Sequence, residues 1–414
     1  MHASQSGRGK VRRDDDDRPR HGRLGRSAIA SNVQRSRAAT SAKVGEVSAT
    51  RATSDLALSA AVCRRLGFND IGLRAYPYLA RTIDKLATTE RPDVVFITGS
   101  PFYPMLLARR IERQFRIPVV LDFQDPWVSA QGGARRPGSK AWLAHRVAVT
   151  LEPLAVRHAA YVTAVSDIQN DEMAARYPWL DRQRMAGIPI GGDPEDFAAL
   201  RAAPVASEVR LDPAFFNFSY VGTFLPRAGP LVEQLFAALA ELRRGAPDLA
   251  ARLRLHFIGT SNQPDGAGGA RVLPYARAAG VAELVREVPR RLPYLEALSL
   301  IARSNALLLI GSDEPHYTAS KIYPALLSGR PYLSLFHAAS SAHQILSVAG
   351  GGRSIAFENT AELPATTAEL ADGMRAIATA PEALGPSRLE VMEPFLATAV
   401  AGRFAEIFDR VSPS

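Results

Sequence analysis

Residues 306–331, ALLLIGSDEPHYTASKIYPALLSGRP, place a lysine and several hydroxyls where a loop becomes a helix. That setting suits an anion. Free backbone N–H groups and the helix dipole favour negative charge at a helix start, and a phosphate supplies it. Ser320-Lys321 opens the expected helix, Gly329-Arg330-Pro331 closes it, and His316 and Thr318 lie in the loop before it. On the other reading, Thr318 or Ser320 is only an N-cap and Lys321 a solvated surface charge. Spacing weighs the two about equally.

Three further segments carry polar groups at the ends of apolar runs. Asp122-Phe123-Gln124-Asp125-Pro126-Trp127 follows the run 119–123. Carboxyls at the C-terminal ends of parallel strands stand where ligands bind, so Asp125 is a candidate to orient a hydroxyl. Otherwise it caps its loop while Trp127 packs in the core. Thr98-Gly99-Ser100-Pro101-Phe102-Tyr103-Pro104 joins a strand to a helix. Gly99 and Ser100 allow close approach of a ligand, and Tyr103 offers a stacking face; a tight turn capped by Ser100 is the plainer reading. The segment lacks the Gly-Lys-Ser/Thr of a Walker loop. In Ile190-Gly191-Gly192-Asp193-Pro194 the glycines permit positive φ and a hinge. Ser166 is read as the cap of the helix after it. His316 and His337 lack metal-ligand spacing with another His or Asp, and no Gly-x-Ser-x-Gly elbow supports serine hydrolysis. Cys63, beside Arg64 and Arg65, is read as an ordinary helical residue.

These segments need a scaffold of alternating strands and helices. Apolar runs place strands at 94–98, 119–123, 161–165, 185–190, 217–221, 253–258, 285–288, 306–310, 332–336 and 354–357. Helical patterns fall at 56–66, 75–86, 103–115, 141–158, 168–176, 230–244, 275–279, 294–303, 341–349 and 366–378, and an amphipathic helix at 389–410 closes the chain. Residues 76–78 form a Pro-interrupted approach, 196–209 an interdomain linker and 266–269 a mobile loop. Such alternation predicts an α/β fold of parallel sheets, its two halves built alike as facing Rossmann-like domains.

Ser320-Lys321-Ile322-Tyr323, with Gly329-Arg330-Pro331 beginning eight residues after the lysine, resembles the donor-binding segment of GT-B glycosyltransferases. These are the retaining, group-1-like (family 4-like) enzymes. In that family a Gly or Ser, a Lys and two apolar residues precede a Glu that holds the donor ribose. Here Pro324 stands in its place, and a proline predicts a late helix start near Tyr323. Gly222-Thr223-Phe224 resembles the segment opening the nucleotide domain. Family members place an Arg after that Gly and a Lys five residues later, both on the diphosphate. This chain has Thr223 and Ala228 there, with Arg227 one residue off. Gly259-Thr260 is similar to the Gly-containing turn beside the donor, and Val288-Pro289 with Leu292-Pro293 to the base-pocket segment.

The resemblance implies a nucleoside-diphosphate sugar as substrate, an unidentified acceptor, transfer with retention, and neither a metal nor a further cofactor. It implies Asp125 as the catalytic residue. The donor side would comprise Gly222, Thr223, Arg227, Gly259, Thr260, Val288, His316, Thr318, Ser320 and Lys321. The acceptor side would comprise Gly99, Ser100, Tyr103, Gly191 and Gly192. The departures at Thr223, Ala228 and Pro324 support an alternative, a catalytically weak or inactive nucleotide-sugar-binding protein. An epimerase on the same fold is less favoured, since no acid/base pair is assignable.

At 414 residues the chain can bury two large cores; it is 47% hydrophobic and 22% charged. Of the formal net charge of +9, six charges belong to residues 1–55, which have few large apolar residues and are expected to form a disordered, dispensable tail. That location argues against nucleic acid as a partner of the folded part. Residues 56–200 would form a first, apparently truncated domain, 210–385 a second, and 386–414 a C-terminal helix returning towards the first. The polar N-terminus does not read as a secretory signal, and the one cysteine excludes an intrachain disulfide. A cytoplasmic protein is expected, with peripheral membrane contact allowed.

Overall fold

The computed structural model describes residues 71–412 except 262, 264–268, 316 and 318. The expected tail, the helix at 56–66 with Cys63, His316, Thr318 and most of the loop 266–269 therefore lie outside the described residues. All pairing described between strands is parallel. Strands β1 (Val95–Gly99), β2 (Val119–Phe123), β3 (Tyr161–Ala164) and β4 (Met185–Gly187) lie side by side in chain order. The second sheet holds β5 (Phe216–Val221), β6 (Leu253–Ile258), β7 (Val285–Val288), β8 (Ala306–Ile310), β9 (Tyr332–His337) and β10 (Gly352–Phe357), ordered β10-β9-β8-β5-β6-β7. Helices cover parallel strands on both faces, and hence β2 and β8 are buried along their whole length. Helix Gly229–Gly245 shows how a face is covered: Leu231, Leu235, Leu239 and Leu242 follow helical spacing and are wholly buried against the second sheet.

Register places the site. Gly99 pairs with Phe123 and Phe123 with Ala164, so the loops leaving β1, β2 and β3 emerge along one edge. In the second sheet Val221 pairs with Ile258 and Ile258 with Val288, which brings the turns at Gly222, Gly259 and Pro289 together.

Three local expectations change. Residues 196–209 are not all linker, because helix Pro194–Ala202 occupies their first part. Asp193 caps it by accepting from the Glu195 amide, Pro194 sits in the first turn, and Phe197 and Leu200 bury beside Leu298 and Ile301. The helix expected at 75–86 extends over Ile71–Thr89 and runs through Pro77, so residues 71–78 belong to it and are not an interrupted approach. The closing helix is divided into a 3-10 segment, Leu389–Phe395, and helix Ala397–Val411. The break is the extended Leu396, whose neighbours bond to the first half of the chain: Gly192 N donates to Phe395 O and Ala397 N to Gly192 O, both at 2.9 Å. The last helix then packs on the first sheet, with Phe404 and Phe408 edge-on to Phe96 at 5.3 and 5.6 Å. No helix among the described residues is long and apolar enough to cross a membrane.

Candidate functional site

The loop after β8 ends in a short helix, Ile322–Leu327, with Lys321 at its N-cap position. Ile322, Tyr323, Ala325 and Leu326 anchor it in the core. Pro324 falls in the first turn, where its missing amide leaves no intrahelical bond unmade. No side chain caps this helix, so Ser320 is not spent on capping.

Lys321 does not extend into solvent. Its Nζ donates to the Tyr220 hydroxyl, lies 3.5 Å from the Thr223 carbonyl oxygen, and stands 4.1 Å from the centre of the Tyr220 ring. The Tyr220 hydroxyl in turn donates to Thr223 O at 2.8 Å. Gly222 is what admits the lysine: its φ is +143°, and a Cβ there would stand 2.8 Å from Lys321 Cε. Burial pushes the Lys321 pKa down to about 7, from 10.5, and drives that of the Tyr220 phenol well up. Between about pH 7 and 10.5 the unfolded chain therefore holds a proton here that the folded chain has released, so the stability cost of burying this amine diminishes as pH rises through that window.

A cavity of about 470 Å³ opens over this lysine. It is lined by Gly191 from the first half of the chain and by Gly222, Thr223, Gly259, Ser320, Lys321 and Pro324 from the second. Gly259 turns there with φ +73°. Three expected donor-side residues are placed otherwise. Thr260 is wholly buried and donates its hydroxyl to Glu287 at 2.5 Å. Val288 does not line the cavity, and its carbonyl accepts from Gly259 N at 2.8 Å. Arg227 is paired with Glu314, and burial lowers its pKa, with the nearby Arg135 charge acting in the same direction. That ion pair occupies Nη1 of the guanidinium.

On the acceptor side the two aspartates separate in role. Asp122 is buried and accepts from Thr98 Oγ1 at 2.9 Å, Thr163 Oγ1 at 2.7 Å and the Gln124 side chain, so it ties β1, β2 and β3 together. Asp125 is exposed beyond the end of β2, and its charge, after burial, helps push Tyr317 up to about 12.

Tyr103 is half-buried and packs edge-on to Trp127 at 6.0 Å. Trp127 itself stacks on Phe102 at 5.5 Å and 9°. Gly99 makes room for that cluster: a Cβ would sit 2.8 Å from Phe102 Cδ1 and 2.9 Å from Met105 Cε. Ser100 is exposed, and the 3-10 turn Tyr103–Leu106 beside it has no side-chain cap. Gly191 and Gly192 are not in the positive-φ region expected of them. Sterics require them instead, since a Cβ at Gly191 would meet Phe395 O at 2.1 Å and one at Gly192 would meet Leu327 Cδ1 at 2.7 Å. The bonds of Gly192 to Phe395 and Ala397 pin the segment and remove the reason to regard it as a free hinge.

Residues 27–191 match the Glycosyl transferase 4-like domain family. Solved structures agree with the fold over most of the chain. HepE of Anabaena in complex with UDP-glucose has a TM-score of 0.53 at 17% identity, covering 81% of this chain and 82% of that one. A UDP-forming trehalose-phosphate synthase from Burkholderia xenovorans reaches 0.57 at 14% identity, over 82% and 80%. Sucrose-phosphate synthase from Thermosynechococcus elongatus gives 0.54 at 16% identity, over 83% and 79%. This chain has the GT-B glycosyltransferase fold. No curated protein sequence matches it. The family match begins at residue 27, upstream of the described residues and within the stretch expected to be a tail.

Sequence reasoning passed over three residues that the GT-B architecture brings to this region. Tyr220 is the partner of Lys321. Tyr317 is near enough to Tyr220 and to Asp125 for electrostatic influence between them. Arg291 lines the cavity with its Cα close to Gly259. The only signal for Arg291 was its place between the two Pro-containing pieces of the base-pocket segment.

Proposed function

We propose that this chain transfers a sugar from a nucleoside-diphosphate sugar to an acceptor hydroxyl, with retention of anomeric configuration. The observation that carries the proposal is the cavity itself: Gly222-Thr223, Gly259 and Ser320-Lys321 come from three separate turns of the second sheet and line one volume with Gly191 of the first half. HepE, which shares the fold, was solved with UDP and with UDP-glucose. In the proposed reaction the bond between the anomeric carbon and the diphosphate oxygen breaks, and the nucleoside diphosphate leaves with that electron pair. The acceptor oxygen bonds to the same carbon and gives up its proton to the Asp125 carboxylate. Lys321, held by Tyr220 and Thr223, stabilises the departing diphosphate as a preorganised charge. Asp125 orients the acceptor hydroxyl. A thermal-shift screen of nucleotide sugars, followed by product analysis with the best donor, tests the proposal. Free nucleoside diphosphate with a glycosylated product is expected, whereas failure of every donor to shift the melt would remove it.

The charge state of Lys321 makes binding depend on pH. Below about pH 7 the amine is protonated and attracts the diphosphate; above it, binding must draw a proton from solvent. Affinity for UDP should therefore fall by up to about tenfold per pH unit between pH 7 and 9. Calorimetry across that range, with Lys321→Met as the pH-independent reference, checks the slope. A wild-type slope equal to that of the variant would contradict the assignment.

The second reading, a weak or inactive nucleotide-sugar-binding protein, is favoured by a specific observation: Pro324 lines the cavity where the family resemblance places a ribose-binding Glu, and Arg227 is committed to Glu314. Pro324→Glu should restore the acceptor for the ribose hydroxyls, raising nucleotide affinity about 2- to 10-fold, the worth of one hydrogen bond. Its carboxylate is also favoured by the helix start. Lower affinity with an unchanged melting temperature would count against placing the ribose over this turn.

A further inference from the structure

We infer that Glu152, a residue outside every candidate site segment named above, is a positioning residue that holds the Asp125 loop in its working geometry. Glu152 lies in helix Lys140–Val156 and is wholly buried. Its two carboxylate oxygens face opposite ways. Oε2 accepts from the backbone N–H of Val128 at 3.0 Å. Oε1 accepts from Arg176 Nη2 at 3.1 Å and from the Tyr177 hydroxyl at 2.9 Å. The second pair anchors the carboxylate to the end of helix Asp167–Arg176, and the first fixes the loop three residues after Asp125.

A buried carboxylate is an expensive way to satisfy one backbone N–H, since its charge must be desolvated and then compensated. Burial does raise the Glu152 pKa, against the opposing effects of Arg176, Tyr177 and Val128. The same loop is also tied by Gln124 N, which donates to Gly99 O at 3.1 Å, and by aromatic contacts of Trp127 on Phe102 and against Tyr103. Val128 is buried while Asp125 is exposed, so the Glu152 bond fixes the buried end of the segment that carries the proposed acceptor-orienting group. Loops leave a reactive group misplaced unless something rigid holds them, and a shift of about 1 Å costs up to about 100-fold in rate.

The inference rests on reading Asp125 as part of a transferase site, so its test needs an arm that does not. Of the three tryptophans, Trp142 and Trp179 are replaced by Phe, leaving Trp127 to report on the loop. In that background Glu152→Gln should red-shift Trp127 emission, and in the parent it should lower kcat about tenfold with the donor KM unchanged. Tyr177→Phe removes a donor from Oε1 alone. It should lower the melting temperature yet leave emission and kcat as they were, an outcome that a merely structural role for Glu152 does not produce. If Glu152→Gln does not fold, Val128→Pro removes the same N–H while leaving the carboxylate and its other partners, and should show the same red shift. Unshifted Trp127 emission in the folded loop variant, or equal kcat losses in Glu152→Gln and Tyr177→Phe, would overturn the inference. Should the wild type turn over no nucleotide sugar, the transferase reading fails while the emission arm still decides the role of Glu152.

Discussion

Asp125→Asn should lower kcat on the order of 100-fold while leaving nucleoside-diphosphate affinity within about twofold, since a positioned acid or base commonly contributes at least that much. The asymmetry follows from location. Asp125 stands at the C-terminal edge of the first sheet, whereas the cavity-lining residues Gly222, Thr223, Ser320 and Lys321 belong to the second half of the chain. Asn keeps the shape and can still accept one hydrogen bond, but it neither carries the charge nor takes a proton. Steady-state kinetics with the donor found by screening, alongside calorimetry with the matching nucleoside diphosphate, separates the two quantities. A parallel loss of affinity would place Asp125 on the donor. An unchanged kcat would leave Asp125 as the cap of its own loop.

The other large effect is expected at Lys321. Lys321→Ala should weaken nucleoside-diphosphate binding by about 1–3 kcal/mol, the worth of a hydrogen bond to a charged group, or about 5- to 150-fold. Few of its alternatives are open. Arg227 is held by Glu314, and the family's other phosphate-binding positions carry Thr223 and Ala228. The variant also removes a buried amine whose protonation burial opposes, so its melting temperature near pH 6 should not fall in proportion to the lost affinity. Calorimetric titration with UDP and with GDP measures the effect. Unchanged affinity for a nucleotide that the wild type binds would take Lys321 out of the site.

The parts of this molecule that were legible in its sequence share a physical cause. Strands such as β2 (VVLDF) and β8 (ALLLI) are buried on both faces, so their apolar character is continuous and their ends are sharp. Helix Pro194–Ala202 escaped notice because it buries only Phe197 and Leu200, too few to show a period, although Asp193-Pro194 was a start signal. The break at Leu396 was not legible because its cause, pairing with Gly192, is remote in sequence.

The site divides in the same way. Lys321 is conspicuous by type and neighbours, but its inward turn depends on Tyr220 and Gly222, about a hundred residues away in sequence. Arg227 looked available because its partner, Glu314, lies in another loop. The Gly191-Gly192 pair was recognisable as special, yet the reason is the approach of Phe395, Tyr323 and Leu327 and not a left-handed backbone. Arg291 could not be singled out among 50 Lys and Arg residues until the cavity placed it. Residue type was readable from short windows, whereas commitment of a side chain to a partner was not.

The account stands or falls on whether a nucleoside diphosphate occupies the cavity over Lys321. Hydrogen exchange followed by mass spectrometry, with and without saturating UDP and then GDP, tests this most directly. Slowed exchange is expected at the turns around Gly222-Thr223 and Gly259 and in residues 319–327, with little change in β1 to β4. Protection confined to the first sheet, or none anywhere with either nucleotide, would contradict it.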